Sequence, residues 1–471
     1  MQFTTLAYAK FFALAFVVTW LCGRFRKLRL TFILGASYFF YAQSGLAFLT
    51  LIFACSTADF LLSHAIGRAR DASQRKAWLA LTVVMNLGVL GYFKYAQFGV
   101  DSALAAFEAL GLHVPAPALS IALPVGISFF TFESMSYVID VYRGELEPHP
   151  SYLEYLTFVA FFPHLVAGPI VRPRDLLPQL ARPPVWQDGE ASSALLLIAT
   201  GLFKKLAIAD YLALNLVDRV FDAPTQYSAL ECYVAMVAYA VQIYADFSGY
   251  TDIAIGSAAL LGVRFPPNFA APYQAHDIVD FWRRWHISLS TWLRDYLYIP
   301  LGGNRHGPSR TYLNLIVTML LGGLWHGPNW TFVVWGGLHG LALACNRAWR
   351  ERMGDVLRKE PGLRVLSTLG TFHFVLLAWV FFRAHTFRDA RAIFSQLATL
   401  TGYHSNLDPR LLLVLAFGLG MHFLPLELEA KWRVRFGALP GIVQGLALFA
   451  VLLVVRRMAS AEAVPFVYFQ F

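Results

Sequence analysis

The chain has 471 residues, of which 57% are hydrophobic and only 14% are charged, and its formal net charge is +9. A soluble protein of this length carries about 25% charged residues, so the composition excludes a soluble globular enzyme and indicates an integral membrane protein. The basic residues form short clusters between apolar segments, at residues 24–29, 68–76 and 347–364. This placement is typical of cytoplasmic loops and gives little support to nucleic-acid binding.

Apolar segments recur along the whole chain, as the roughly 20-residue span of a bilayer core requires. They predict an all-α, polytopic membrane protein with about 10 to 13 transmembrane or re-entrant helices. The polar connections between them are short, so we expect a single membrane-embedded domain over residues 1–471. The candidate segments are residues 5–22, 30–43, 46–66, 77–98, 120–141, 154–171, 193–221, 229–262, 312–327, 330–346, 365–383, 410–425 and 440–457.

Two groups of charged residues lie within or beside these segments. Lys204 and Lys205, followed by Asp210, are interpreted as the cytoplasmic end of a helix. Asp246 and Asp252 lie inside a long apolar segment, where carboxylates need partners. A structural ion pair with Arg283 or Arg284 is the preferred interpretation of these two acids.

Residues 277–298 differ from the other segments. Their apolar side chains repeat at a spacing of 3.6 residues and predict one amphipathic helix with polar residues along two edges. Such a helix should lie at the membrane interface or line a wet cavity rather than face lipid. One polar edge carries Arg283, His286, Ser290 and Arg294.

His326 ends an apolar run in the sequence Leu324-Trp325-His326-Gly327-Pro328-Asn329. Pro328 removes a backbone donor and disfavours helix at the residue before it, so we expect the helix to stop or kink beside the imidazole. An ionisable group inside the membrane marks a functional site by default. A structural histidine, bonded to a neighbouring helix, is the alternative that these residues alone leave open.

The other polar candidates are weaker when each is taken singly. His286 fits an interfacial histidine better than a catalytic one, and His339 fits helix packing as well as support of His326. Asn329 could orient an imidazole, although capping the next helix is the better interpretation, because asparagine accepts hydrogen bonds from first-turn N–H groups.

Several kinds of site are not indicated. The four cysteines are scattered and the histidines lack close metal-ligand spacing, so we expect neither a disulfide framework nor a metal site. The chain has no GxSxG motif of an α/β-hydrolase, no GxxxxGK[ST] phosphate loop and no HExxH motif.

The motifs nevertheless resemble the membrane-bound O-acyltransferase family, and within it the bacterial branch that O-acetylates alginate. The resemblance runs from about residue 91 to residue 382, whereas the predicted C-terminal helices at 410–457 match only in being apolar. It is carried by the sequences at 124–129, 140–144, 168–169, 246–250, 281–290, 292–296, 301–305 and 320–327.

The resemblance implies a multi-helix fold around a central tunnel through the membrane. It implies that His326 is the catalytic histidine and that His286 is the second functional histidine. The supporting candidates are His339, Asn329, Arg283, Arg294 and Ser290.

The resemblance also implies an O-acyltransferase of the bacterial inner membrane that holds no bound cofactor and uses acetyl-CoA as the expected donor. Acetyl would pass from the cytoplasm towards an extracytoplasmic partner acetyltransferase and finally to an exopolysaccharide, with alginate expected. His326 would be the general base, and His286 or a freed backbone N–H would stabilise the oxyanion. The alternatives are acetylation of cellulose or another polymer, D-alanylation of teichoic acid, and a non-enzymatic polysaccharide transporter.

Overall fold

The computed structural model describes residues 1–117, 121–354, 360–459 and 464–466. The described residues are helices and connecting loops without any β-strand, which confirms the predicted all-α fold. They group into two compact units. One unit comprises residues 1–186 and 257–265, and the other comprises residues 187–256 and 266–471.

The first unit contains eight helices within the described ranges. Three of them begin at a side-chain cap: Thr5, Asp71 and Ser151 each accept a hydrogen bond from a first-turn backbone N–H. The helix α4 contains a π-helical turn at Gly91–Tyr95. The helices are α1 (Leu6–Leu21), α2 (Arg26–Ala42), α3 (Leu46–Arg68), α4 (Ala72–Ala109), α5 (Ile127–Arg143), α6 (Tyr152–Ala160), α7 (Phe162–Leu165) and α8 (Pro173–Ala181).

The core of the first unit is built around α5, which is buried over almost its whole length. Glu133 of this helix accepts a hydrogen bond from the backbone N–H of Val171 at 3.1 Å, and its carboxylate lies 2.9 Å from Nδ1 of His164. The other ring nitrogen of His164 lies 3.1 Å from the carbonyl oxygen of Phe158. Both polar side chains are fully buried, so their mutual contact offsets the cost of removing them from water.

The second unit contains the remaining helices. The long helix α9 has π-helical stretches at Phe203–Ala209 and Ala213–Val217. The last residues of α10 belong to the first unit. The helices are α9 (Gly189–Asp222), α10 (Ala229–Leu260), α11 (Ile278–Arg284), α12 (Ile287–Leu293), α13 (Gly307–His326), α14 (Trp330–Met353), α15 (Pro361–Arg383), α16 (Phe387–Leu397), α17 (Pro409–His422), α18 (Leu426–Gly437) and α19 (Gly441–Met458).

Five of the described helices are long and apolar enough to cross a membrane: α3, α4, α9, α15 and α19. The helices α1 and α17 are also apolar but shorter. On α19 the large side chains of Ile442, Leu446 and Phe449 are exposed. Exposed apolar faces of this kind are uncommon in a water-facing protein and indicate contact with lipid.

The prediction for the lysine pair is wrong, because both lysines lie inside α9 rather than at its end. Lys205 is 1% exposed, and its Nζ lies 2.6 Å from Asp210 and 2.7 Å from Asp246. Lys204 pairs with Asp252 at 2.7 Å. The acids of α10 are therefore neutralised by α9, and the predicted pairing with Arg283 or Arg284 is also wrong.

Glycines explain how these charges meet. A Cβ on Gly249 would lie 2.7 Å from the carbonyl oxygen of Gly201, so α9 and α10 approach more closely than side chains would permit. Contact between the backbones brings the lysines of one helix within reach of the aspartates of the other.

Candidate active site

The helix α13 ends at His326, as the sequence predicted. Gly327 is extended, Pro328 follows, and Asn329 begins the next helix. The Asn329 side chain accepts a hydrogen bond from the backbone N–H of Thr331 at 3.0 Å and donates one to the carbonyl oxygen of His385 at 2.7 Å. Asn329 is therefore a helix cap that also ties the hairpin to the loop after α15, which supports the capping interpretation.

The hairpin of α13 and α14 is held together by glycines. A Cβ on Gly323 would lie 3.0 Å from Cα of Gly336, and a Cβ on Gly340 would lie 2.9 Å from Cα of Ile316. Backbone lies against backbone at these positions, because no side chain separates the helices. The close crossing fixes the position of His326 relative to the side chains of α14.

His326 is 3% exposed and lies among aromatic rings. Its ring centroid is 5.1 Å from those of Trp325 and Trp335 and 5.2 Å from that of Phe382. The rings pack edge to face, which is the favourable arrangement for aromatic quadrupoles. These contacts fix the imidazole in one orientation, as a positioned proton-transfer group requires.

His286 lies at a break in the segment that was predicted to be one amphipathic helix. The structure divides this segment into α11 and α12, followed by a π-helical turn at Arg294–Tyr298, and the single-helix prediction is wrong. His286 itself has a left-handed backbone, with φ 42° and ψ 56°. A non-glycine residue in this region costs about 1–3 kcal/mol and is often found at functional sites.

The cause of the break is the loop at residues 268–270. The Ala270 N–H donates to the carbonyl oxygen of Arg284 at 2.9 Å, and the Ile287 N–H donates to that of Asn268 at 2.9 Å. The loop therefore replaces the hydrogen bonds that a continuous helix would have made, and it turns His286 inward, where it is fully buried.

The two histidines that the family resemblance singled out lie close together. The ring centroids of His286 and His326 are 6.5 Å apart, and both rings are close to Trp325. Forty residues separate them in the sequence, and two helix breaks bring them together. Two imidazoles at this distance can act on one molecule bound between them, because each needs a heavy-atom distance of about 2.6–3.2 Å to transfer a proton.

His339 lies on α14 beyond Trp335, at a ring-centroid distance of 4.8 Å from that indole. It also packs against Trp282 and Phe281 and is fully buried. Neither ring nitrogen has a hydrogen-bond partner within the described part of the chain. A buried imidazole without such a partner is costly, and this burial keeps His339 among the supporting candidates.

The observed hydrogen bonds and ion pairs of the remaining candidates do not connect them to the histidine pair. Arg283 and Arg294 are exposed, and Arg294 pairs with Asp295 at 2.7 Å. Ser290 donates to the carbonyl oxygen of Trp285 at 3.2 Å. Arg283, Arg294 and Ser290 would share one edge with His286 only on a continuous helix. The turn at His286 interrupts that helix and separates the His286 side chain from them.

Comparison with known proteins identifies the family of the chain. The model of the membrane-bound O-acyltransferase family (MBOAT) matches residues 127–385. The chain belongs to the membrane-bound O-acyltransferase family. It is therefore a multi-pass membrane O-acyltransferase, and the matched segment contains both His286 and His326.

Individual relatives agree with this assignment. The chain is 46% identical over 363 residues to a probable alginate O-acetylase of Azotobacter vinelandii. The aligned region covers 77% of this chain and 70% of the relative. It is 38% identical over 473 residues to a probable alginate O-acetylase of Pseudomonas putida, which covers 95% of both chains. A peptidoglycan O-acetyltransferase of Helicobacter pylori is 36% identical over 393 residues, or 78% of this chain and 73% of the relative.

Two cavities of this O-acyltransferase lie beside α14. One of about 410 Å³ is lined by apolar side chains and by Tyr298, Asn346, Arg347, Arg350 and Glu351. The other, of about 300 Å³, shares Asn346 and is lined by residues that include Asp277, Ser367 and Thr371. Across the described ranges, no group of three or more His, Cys, Asp or Glu side chains is arranged to hold a metal ion.

Sequence reasoning missed several residues that form the walls of the site. Trp335, Phe382 and Phe247 surround the two imidazoles, with Phe247 at 4.6 Å from the His286 ring. Asn268 was missed as well, although an asparagine after two prolines is a signal for an ordered turn. Buried aromatics give no such signal, since an apolar membrane sequence contains many of them.

Phe247, which forms part of this wall, packs against a residue from the far end of the chain. Phe466 is fully buried and lies 5.8 Å from Phe247 and 4.3 Å from Tyr250, as measured between ring centroids. Phe247 thus has Phe466 on one side and His286 on another.

Proposed function

We propose that this O-acyltransferase transfers acetyl groups from acetyl-CoA on the cytoplasmic side for the O-acetylation of an exopolysaccharide, with alginate as the polymer. The observation that carries the proposal is the pair of buried imidazoles of His286 and His326, 6.5 Å apart inside the segment that defines the family. The names of the relatives from Azotobacter and Pseudomonas support acetyl as the group and alginate as the polymer.

In the proposed reaction, His326 accepts the proton of the acceptor hydroxyl as its oxygen attacks the thioester carbonyl carbon. General-base assistance of this kind contributes about 10²–10⁴-fold. The tetrahedral intermediate then collapses, the carbon–sulfur bond breaks, and the departing sulfur takes the proton back from the imidazolium. The O-acetyl ester and free CoA thiol are the products.

The cavity beside Arg347 and Arg350 supports entry of a polyanionic donor at that end of α14. The basic cluster to which these arginines belong is typical of the cytoplasmic side of a membrane protein. Positive charge at the mouth of a cleft raises the local concentration of an anionic substrate and its association rate. The apolar part of the same lining suits the less polar portion of the donor.

We propose an inner-membrane location and, by resemblance, an extracytoplasmic partner acetyltransferase that completes the transfer to the polymer. A serine of that partner is then the first acceptor. Peptidoglycan is the second candidate polymer, because a relative that is 36% identical carries that name. Membership of an acyltransferase family favours an enzyme over the alternative of a transporter.

The test uses a strain that lacks the gene and is complemented with variants. His326→Ala should reduce the acetyl ester content of the secreted polymer, measured by mass spectrometry, by at least about 10²-fold. His404→Ala, which changes an exposed histidine outside the site, is the matched control and should behave as wild type. Normal acetylation with His326→Ala at equal protein level would refute the catalytic assignment. If His326→Ala instead loses acetyl groups from a glycan other than alginate, the polymer in the proposal is replaced by that glycan.

A further inference from the structure

Asn268 makes an unusual set of contacts with the turn that carries His286. Its Oδ1 lies 3.1 Å from the backbone N of Ser288, 2.9 Å from Ser288 Oγ and 3.2 Å from Nδ1 of His286. Its own carbonyl oxygen accepts from the Ile287 N–H at 2.9 Å. Asn268 is 1% exposed, so these contacts take place away from water.

The backbone N–H of Ser288 determines the orientation of the amide. A backbone N–H can only donate, so the Asn268 atom that faces it must be the oxygen and not the NH₂ group. The same oxygen faces Nδ1 of His286. Since an amide oxygen only accepts, the proton of a neutral His286 ring must be on Nδ1.

We infer that Asn268 is a positioning residue, which holds His286 in the Nδ1–H tautomer and makes its Nε2 a proton acceptor in the acyl transfer. The inference rests on the proposed function only for the part His286 plays in the reaction. The tautomer itself follows from the hydrogen bonds. Burial also lowers the pKa of the His286 imidazole, which favours the neutral ring near pH 7.

This tautomer decides between two roles for His286, stabilisation of an oxyanion and acceptance of a proton. A neutral ring with its only N–H directed at Asn268 has no second N–H for an oxyanion, so that role passes to backbone N–H groups. The lone pair on Nε2 instead accepts, through a molecule between the rings, the proton that His326 has taken from the acceptor hydroxyl. This transfer leaves the Nδ1–H···Oδ1 bond intact, and the proton returns to the departing sulfur.

The strained backbone of His286 fits the same role. A left-handed conformation persists only where its surroundings over-determine it. Asn268 supplies bonds to three consecutive residues of the turn, through both its side chain and its backbone. The strain and the tautomer therefore have one common cause.

The decisive experiment needs no turnover. Full-length protein labelled with ¹⁵N-histidine is reconstituted in lipid, and the His286 resonances are identified by their loss in His286→Gln. We expect solid-state NMR to show Nδ1 protonated and Nε2 unprotonated in the wild type, and Asn268→Leu to lose this pattern. A protonated Nε2 in the wild type, or an unchanged spectrum in Asn268→Leu, would overturn the inference.

A kinetic test follows from Asn268→Asp, measured as thiol release from acetyl-CoA. The carboxylate keeps the acceptor for Ser288 and His286 but adds a negative charge that stabilises the imidazolium, so the acid limb of the pH–rate profile should move up by about one pH unit. Asn268→Leu should lower the rate about 10–100-fold, because a buried hydrogen bond that orients the reacting ring is lost. His326 is the titratable neighbour whose ring packs near His286. The pH–rate profiles of the wild type and of Asn268→Asp are therefore compared with His326 intact in both.

Thr291→Val is the matched control. Among the residues that the structure describes, its hydroxyl bonds only to the carbonyls of Ile287 and Ser288 in the same helix, and the change preserves shape. An unshifted acid limb in Asn268→Asp, with folding equal to that of Thr291→Val, would count against a proton-accepting His286. If His286→Gln turns over normally while the tautomer is as inferred, the part given to His286 in the reaction fails, whereas the proposed function with His326 as base and the assignment of Asn268 as the tautomer lock both stand.

Discussion

The crossing of α13 and α14 offers a sharp test, because adjacent glycines on α14 differ completely in their surroundings. A Cβ on Gly336 would lie 3.0 Å from the carbonyl carbon of Met319, 3.1 Å from Cα of Gly323 and closer still to the Met319 oxygen. A Cβ on Gly337 would meet only Cδ2 of Leu320, at 3.3 Å. The first contact is with backbone, whereas the second is with the end of a flexible side chain.

The magnitudes follow from these distances. Carbon atoms need about 3.5 Å, so Gly336→Ala must separate the helices by about 0.5 Å or more. Overpacking of this kind costs about 1–3 kcal/mol, and the higher helix propensity of alanine recovers at most about 1 kcal/mol. Gly337→Ala gains the same helix propensity without the overpacking of the two helices. We therefore expect Gly336→Ala to be less stable than Gly337→Ala by about 1–3 kcal/mol, because the gain in helix propensity is common to both variants.

The same substitution should also lower the catalytic rate. His326 ends one helix of this crossing and Trp335 precedes the substituted glycine, so their spacing changes when the helices separate. A misplacement of about 1 Å can cost about 10²-fold in rate. We expect Gly336→Ala to reduce acetyl ester formation by tenfold or more.

The assays are thermal unfolding of the purified protein in detergent and acetyl ester content of the polymer from complemented cells. Both variants are compared at equal amounts of membrane-inserted protein. Equal stability and equal activity of the two variants would show that the glycine crossing does not position the site.

Three further predictions concern single side chains. Lys205→Met should destabilise the protein by about 3–5 kcal/mol in thermal unfolding, because it leaves two buried carboxylates without their cation. Lys204→Met should cost about 1 kcal/mol or less, because the ion pair of Lys204 is partly exposed. Similar losses of stability in both variants would refute the argument that the Lys205 cluster is buried. Asn329→Ala should lower stability by about 1 kcal/mol through loss of the helix cap, and an unchanged melting temperature would contradict that role. His339→Phe should raise stability by about 1–3 kcal/mol, because neither ring nitrogen of His339 has a hydrogen-bond partner in the described chain. The same variant should lower activity if the imidazole is retained for function. Full activity would remove His339 from the site.

Local chemistry made part of the structure predictable. Pro328 stops α13 beside His326, and Asn329 caps α14, because both effects depend on the backbone of a few adjacent residues. The apolar composition likewise predicted membrane helices, since lipid imposes the same requirement on every spanning segment.

The parts that failed depend on residues distant in sequence. A 3.6-residue repeat cannot show the break at His286, because that break is caused by hydrogen bonds from residues 268–270. The partners of Asp246 and Asp252 were also misassigned, since the close approach of Gly201 and Gly249 cannot be seen in either helix alone. Pairing of the two histidines came from resemblance to a family, and the coordinates supplied the distance.

The position of Phe466 has a practical consequence for anyone handling this enzyme. Its ring is packed against Phe247, which also packs against the His286 imidazole. A bulky fusion close to this residue would disturb a ring that is separated from the His286 imidazole by Phe247. A truncation before residue 466 would leave Phe247 without one of its packing partners.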